Sequence, residues 1–104
     1  MGIPLYGLNK SGDNLEALAD AVSGSKAWDA GAIANGAEEA LEITVEGAAL
    51  GDFVLSSLSI DLTDLSLSGA VTAADTVTLV LSNNSGGSIN LGAAVAYCMV
   101  IKKP

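Results

Sequence analysis

From Lys26 onward the chain repeats in twos. Leu41-Glu42-Ile43-Thr44-Val45-Glu46 alternates apolar with polar side chains at every step, which is the pattern of a strand with one buried and one wet face. The same alternation recurs in Leu58-Ser59-Ile60-Asp61-Leu62, in Leu65-Ser66-Leu67-Ser68 and in Thr76-Val77-Thr78-Leu79-Val80-Leu81. Turn signals separate these runs: Gly47 to Asp52, Thr72-Ala73-Ala74-Asp75, and Asn83-Asn84-Ser85-Gly86-Gly87. The last of them reads as a hairpin loop, because Asn and Gly tolerate positive φ. Ala27-Trp28-Asp29 supplies a short first strand and Ala93 to Lys102 a final one. The count is then about six or seven strands with no helix between them, which predicts a mainly β fold, an antiparallel β-sandwich or small barrel.

The first twenty-five residues follow a different rule. Asp13 to Val22 is the one helix candidate, with Asp13 as N-cap, Glu16 three places on and Gly24 as a stop. Leu15, Leu18 and Val22 fall at i, i+3 and i+7 and form one apolar stripe. A helix of about ten residues is marginal alone, so the stripe needs a surface to dock on. Ahead of it, Gly2 to Leu8 is an apolar arm punctuated by Pro4 and Gly7, which reads as extended chain, and Ser23-Gly24-Ser25 reads as a linker. The expected organisation is an arm and short helix over residues 1–25 and a β domain over 26–104.

The final strand is apolar on both sides. Val95, Tyr97, Met99 and Ile101 share one face, while Ala96, Cys98 and Val100 share the other. Both faces therefore need cover, either from the N-terminal helix or arm or from a second subunit.

Composition narrows the function. The 104 residues carry twelve acids against four lysines, a net charge of −8, with no arginine and no histidine. Such a chain cannot neutralise a phosphate backbone or sit on an anionic membrane, so neither nucleic acid nor membrane is expected as a partner. The apolar run Ala93 to Ile101 is short of the roughly 20 residues that span a bilayer. The opening residues lack the basic flank of a signal peptide. Tyr6 stands where a myristoylation signal wants Ser or Thr.

Catalytic parts are scarce. Without histidine there is no ordinary Ser-His-Asp or Cys-His pair, and without arginine no bidentate anion clamp. Cys98, the single cysteine, lies in an apolar strand and reads as an inert small hydrophobe. Glu42 with Glu46 and Asp61 with Asp64 are the available carboxylate pairs, and both read as solubilising charges. From Ala27 to Ile101 there are nine acids and no base. Asp52, Asp61, Asp64 and Asp75 fall in turns, where an Asp side chain accepts backbone hydrogen bonds and fixes the turn. The spacing of an EF-hand calcium loop is absent, and the glycine-rich segments lack phosphate-loop spacing. No enzyme activity, metal or cofactor is expected. Trp28 reads first as a core plug, with a subunit contact or sugar stacking as its alternative uses.

Gly47-Ala48-Ala49-Leu50-Gly51-Asp52-Phe53-Val54, Val71-Thr72-Ala73-Ala74-Asp75-Thr76-Val77-Thr78 and Leu81-Ser82-Asn83-Asn84-Ser85-Gly86-Gly87-Ser88-Ile89-Asn90-Leu91 resemble segments of small β-sandwich virion proteins of tailed bacteriophages. The resemblance covers Trp28 to Ile101. It departs in the final strand, where Tyr97, Cys98 and Met99 replace a more polar, Arg-containing strand. Proteins of this kind are similar to capsid decoration or cement proteins and to fibre-associated domains, and usually assemble as homotrimers. What the resemblance implies is a homo-oligomeric decoration protein on the capsid exterior, made in the host cytoplasm, with the major capsid protein and its own copies as partners. A receptor-binding or fibre domain recognising host carbohydrate is the alternative. Pro4, Leu5, Tyr6, Leu15, Leu18, Val22 and Trp28 are the expected assembly residues.

Overall fold

The computed structural model of the protein describes residues 21–104. These residues form eight strands and no helix: β1 (Val22–Asp29), β2 (Ala32–Ile33), β3 (Glu38–Thr44), β4 (Phe53–Leu58), β5 (Leu65–Ala73), β6 (Thr76–Asn83), β7 (Ile89–Asn90) and β8 (Ala93–Ile101). The fold is mainly β, as the alternation predicts. The strands make two antiparallel three-stranded sheets, ordered β1-β8-β4 and β3-β6-β5, and a short β2-β7 ribbon.

One core lies between the two sheets. The central strand of each supplies its middle: Ala96, Cys98 and Val100 from β8, and Val77, Leu79 and Leu81 from β6, all buried. Every second residue of β6 points inward, so its strict alternation is the direct consequence of one dry and one wetter face. Trp28, Ile43, Leu65 and Val71 close the core from the flanking strands. Burying a side chain of this size contributes about 1.5–3 kcal/mol.

Two glycines set how closely the sheets approach at their edges. A Cβ on Gly24 of β1 would lie 3.0 Å from Val45 and 3.1 Å from Ile43. A Cβ on Gly69 of β5 would lie 2.6 Å from Leu79 and 3.1 Å from Val54. Each glycine therefore stands where an edge strand of one sheet meets the other sheet.

Four sequence expectations change. Ser23-Gly24-Ser25 is not a linker but the middle of β1, paired with Met99, Cys98 and Tyr97, so the β region begins at Val22 and not at Lys26. Val22 accordingly cannot end the expected helix; the rest of that helix, Asp13 to Asp20, lies outside the described residues. Leu58 to Leu62 is not a strand. The strand there is β4, which stops at Leu58, and the chain then turns through Thr63, at φ 53°, with Asp61 Oδ1 accepting the Thr63 N–H at 3.0 Å. Lastly, Asn83 to Gly87 is not a hairpin loop, because β7 pairs with β2 and not with β6.

Asn83 explains that last difference. Its buried side chain donates to the Ile33 carbonyl at 2.7 Å and the Gly87 carbonyl at 2.8 Å, and accepts the Ser85 N–H at 2.9 Å. The residue ends β6 and ties it to β2 and to the crossing segment, and no buried side-chain nitrogen or oxygen among the described residues lacks a partner.

Candidate interaction surface

Side chains alternate across the β1-β8-β4 sheet, so what faces away from the core is fixed by register. Phe53 lies beside Ile101; Ser23, Met99 and Leu55 form the next row; Ser25, Tyr97 and Ser57 the one after; Ala27 and Val95, then Asp29 and Ala93, complete it. Phe53 and Leu55 are each 58% exposed, Tyr97 46% and Met99 41%. Leu50, at 62%, stands in the β3–β4 loop at the same end. Among the described outward residues of β1, β8 and β4, only Asp29, at the far end, is charged; just past β8, at the other end, the Lys103 ammonium donates to the Leu50 carbonyl at 3.0 Å.

The small hydroxyl side chains shape the surface. Ser23, Ser25 and Ser57 lie beside the bulkier Leu55, Tyr97 and Met99, and these residues line a shallow open depression of about 630 Å³. The surface is apolar with a few hydroxyls.

The end at which β1 begins is stitched by two acids. Asp52, buried, accepts hydrogen bonds from Lys102 Nζ at 2.5 Å, the Lys103 N–H at 3.0 Å and the Ala49 N–H at 3.0 Å. The Lys102 ammonium beside it, then the Lys103 and Ala49 amides, hold its carboxyl well below the usual carboxylate range, against the opposing effect of burial. Asp75 accepts the Gly47 N–H at 2.9 Å and thereby fastens the β5–β6 turn to the β3–β4 loop. Asp52, Asp61 and Asp75 thus do what turn acids are expected to do. Asp52 also anchors the C-terminal lysines, a role its position alone does not announce. Among the described residues no three His, Cys, Asp or Glu side chains gather as a metal-holding group.

Of the expected assembly residues, Pro4, Leu5, Tyr6, Leu15 and Leu18 lie outside the described residues. Val22 opens β1 opposite Val100 and packs half-buried against the core. Trp28 is 8% exposed and belongs to the core, so it serves as the plug and presents no surface for a subunit. Cys98 is buried as well, and burial raises its thiol pKa. The residues that do form an exposed apolar face are Phe53, Leu55, Tyr97 and Met99. The two-faced final strand signalled the last two, and the uninterrupted run Phe53-Val54-Leu55 is the signal for the first two.

A scan against protein-family models finds no match, and a search of curated proteins finds no significantly similar sequence.

Proposed function

We propose that this chain is a structural virion protein, a capsid decoration protein that oligomerises and braces the head shell of a tailed phage. The apolar face of the β1-β8-β4 sheet, with Phe53, Leu55, Tyr97 and Met99 exposed together, carries this reading. A contiguous apolar face of this kind marks a contact surface. The sequence resemblance to small phage β-sandwich proteins supports the same conclusion. In this reading the two sheets are a β-sandwich of the decoration type, the protein is a homotrimer without catalytic activity, and it sits on the capsid exterior against the major capsid protein. Many modest contacts repeated by symmetry supply the binding, because linked sites gain effective concentration.

Purified cognate heads lacking this protein test the proposal. The full chain is expected to bind them at saturating, stoichiometric occupancy. A deletion of residues 1–20, which stops short of β1, is expected to lose most of that occupancy. Unchanged occupancy for the deletion, or no binding by the full chain, overturns it.

A receptor-binding or fibre domain that takes host carbohydrate is the second reading. Phe53 and Tyr97 favour it, being exposed aromatics beside an open depression lined by hydroxyls. Glycan-array binding by the isolated protein, abolished by Tyr97→Ala, would establish it over the first.

A further inference from the structure

We infer that Asn35-Gly36 is a latent deamidation site, held closed by the hydrogen bonds of the folded turn between β2 and β3 and opened when that end of the molecule comes apart. A chain that stays folded keeps its asparagine here, and a chain that opens loses it irreversibly.

Asn35-Gly36 is the one Asn-Gly pair in the sequence. The reaction is an internal attack: the Gly36 amide nitrogen, once a base has taken its proton, bonds to the side-chain carbonyl carbon Cγ of Asn35. The Cγ–Nδ2 bond breaks, ammonia leaves with a proton, and a five-membered succinimide remains. Water then opens the ring. Cleavage of the new bond to Cγ gives aspartate at position 35, whereas cleavage of the original peptide bond gives isoaspartate, through which the main chain gains a methylene. Nothing is oxidised or reduced, and water is the co-reactant. Glycine favours the attack because no Cβ shields its nitrogen and its backbone turns freely. The other asparagines of the described residues, Asn83, Asn84 and Asn90, precede Asn84, Ser85 and Leu91, whose side chains crowd the same approach.

In the folded protein both reacting groups are engaged elsewhere. Ala34 to Ala37 form a turn closed by the Ala37 N–H on the Ala34 carbonyl at 2.9 Å, with Gly36 at φ 83°, the value that the third position of a type II turn requires. From that turn the Gly36 N–H donates to the Asn83 carbonyl at 2.6 Å, and Asn35 Oδ1 accepts the Gly86 N–H at 2.9 Å. Ring closure strips the Gly36 nitrogen of its hydrogen and so breaks the first bond. It must also draw the carboxamide toward Gly36 and away from Gly86. Burial gives no help: Asn35 and Gly36 are both exposed, and nothing lies within 4 Å of where a Cβ on Gly36 would stand. Water and base reach the pair, so the hydrogen bonds are what hold the reaction back.

Those bonds depend on Asn83. Its carbonyl holds the Gly36 N–H, its own N–H donates to the Ala37 carbonyl at 3.0 Å, and its side chain holds the Ile33 and Gly87 carbonyls and the Ser85 N–H. β2 and β7 pair over only two residues each, so this end has little ladder of its own, and its opening does not require the core to unfold. The products differ in what they allow afterwards. Aspartate keeps the length of the main chain and an oxygen for Gly86. Isoaspartate lengthens the turn from within and throws the Ala34–Ala37 and Gly36–Asn83 bonds out of register, so the opened end does not close again as before.

The full chain, incubated at mildly alkaline pH once folded and once in urea, tests this by mass spectrometry that separates aspartate from isoaspartate. In urea, Asn35 is expected to convert ahead of Asn83, Asn84 and Asn90. In native buffer its conversion is expected to be more than about tenfold slower. Equal rates in the two conditions, or one of those other asparagines leading in urea, would overturn the inference. Hydrogen exchange on the native protein is the second readout, and it needs no variant. The Gly36 and Gly86 amides are expected to exchange slowly in spite of their exposure; exchange at the rate of a free chain would overturn the protective role of their bonds. Asn83→Ala is expected to bring fast loss of Asn35 in native buffer with most of its β circular dichroism retained, and unchanged protection in that folded variant would overturn the part given to Asn83. None of these measurements involves assembly or a capsid, so the outcome is independent of the decoration reading.

Discussion

The outward rows of the β3-β6-β5 sheet are Glu38, Ser82 and Ser66; Ala40, Val80 and Ser68; Glu42, Thr78 and Ala70. The outward rows of the β1-β8-β4 sheet at the entry end are Phe53 with Ile101, Ser23 with Met99 and Leu55, and Ser25 with Tyr97 and Ser57. Both sets sit on antiparallel three-stranded sheets over one core, with the same pleat. The first is a skin of hydroxyls and acids around the small apolar Ala40, Val80 and Ala70, in which the Thr72 and Thr78 hydroxyls bond to each other at 2.7 Å. The second offers thioether, aryl and isobutyl groups to water. An antiparallel sheet needs only one dry face, so backbone pairing does not require the second face to be apolar. The difference teaches that the two central strands have different tasks. β6 sends its large apolar side chains mainly into the core, while β8 carries apolar side chains on both of its faces.

The largest expected effect removes the support common to both faces. Leu79 is fully buried at the centre of β6, and Leu79→Ala is expected to cost about 2–5 kcal/mol. Urea unfolding measures it, and both faces should be lost in a single transition. Two separated transitions would show that the sheets are not backed by one core.

Next come the glycines that join the sheets. Gly24→Ala and Gly69→Ala are each expected to cost about 1–3 kcal/mol, as overpacking does. Gly24→Ala should be the worse of the two although its closest approach is longer, 3.0 Å against 2.6 Å. The Cβ at position 24 meets the stiff Cγ2 atoms of both Val45 and Ile43 and the Thr44 carbonyl at 3.4 Å, whereas at position 69 only Val54 is a stiff contact and the closest atom is the far end of the Leu79 side chain, which can give by a small torsional shift. Equal melting temperatures for Gly69→Ala and the native protein would show that this edge has room to spare.

These glycines also mark where the sequence was legible and where it was not. β3, β5 and β6 can be read from alternation because one of their faces is dry and the other polar. β1 escapes that reading. Its inward position 24 must be glycine to admit Val45 and Ile43, and its outward positions 23 and 25 are serines, so a strand imitates a linker. β4 escapes for the opposite reason, since Phe53, Val54 and Leu55 are apolar on both faces and leave no period to detect. Asn83 looks like a turn residue because its side chain satisfies backbone groups, but the groups it satisfies belong to β2 and to the segment that crosses toward β7. Of the exposed face, Tyr97 and Met99 were legible in the two-sided final strand. For Phe53 and Leu55 the apolar run was visible but its place on this face was not, because that depends on which strand pairs with β8. Trp28 shows the limit from the other side, a lone aromatic whose burial only the packing decides.

A smaller effect concerns the end at which the apolar face is placed. Asp52 has its pKa lowered by Lys102, Lys103 and Ala49. A group whose folded pKa is depressed contributes stability that is fully present above its unfolded value, about 3.9, and is lost as pH falls toward the folded value. The native melting temperature should therefore fall below about pH 4. Asp52→Asn should melt lower at neutral pH, and the gap between the two should close on acidification. Melting curves recorded as a pH series check this; a gap that stays constant with pH would mean that Asp52 acts through packing and not through its charge.

The smallest expected effect probes the polar face itself. Thr78→Val removes the hydroxyl that bonds Thr72 while placing a good strand former on an outward position of β6. The two changes oppose each other, and stability should move by no more than about 0.5 kcal/mol. Self-association of the protein should not change either, because one added methyl group on a face whose apolar side chains are only Ala40, Val80 and Ala70 gives a second copy little to dock on. Met99→Thr makes the reverse exchange on the other face, and light scattering on the full chain should show its oligomer weakened. If Thr78→Val instead strengthened association as much as Met99→Thr weakened it, apolar area anywhere on the surface would suffice. The placement of Phe53, Leu55, Tyr97 and Met99 beside the start of β1 would then have no special meaning.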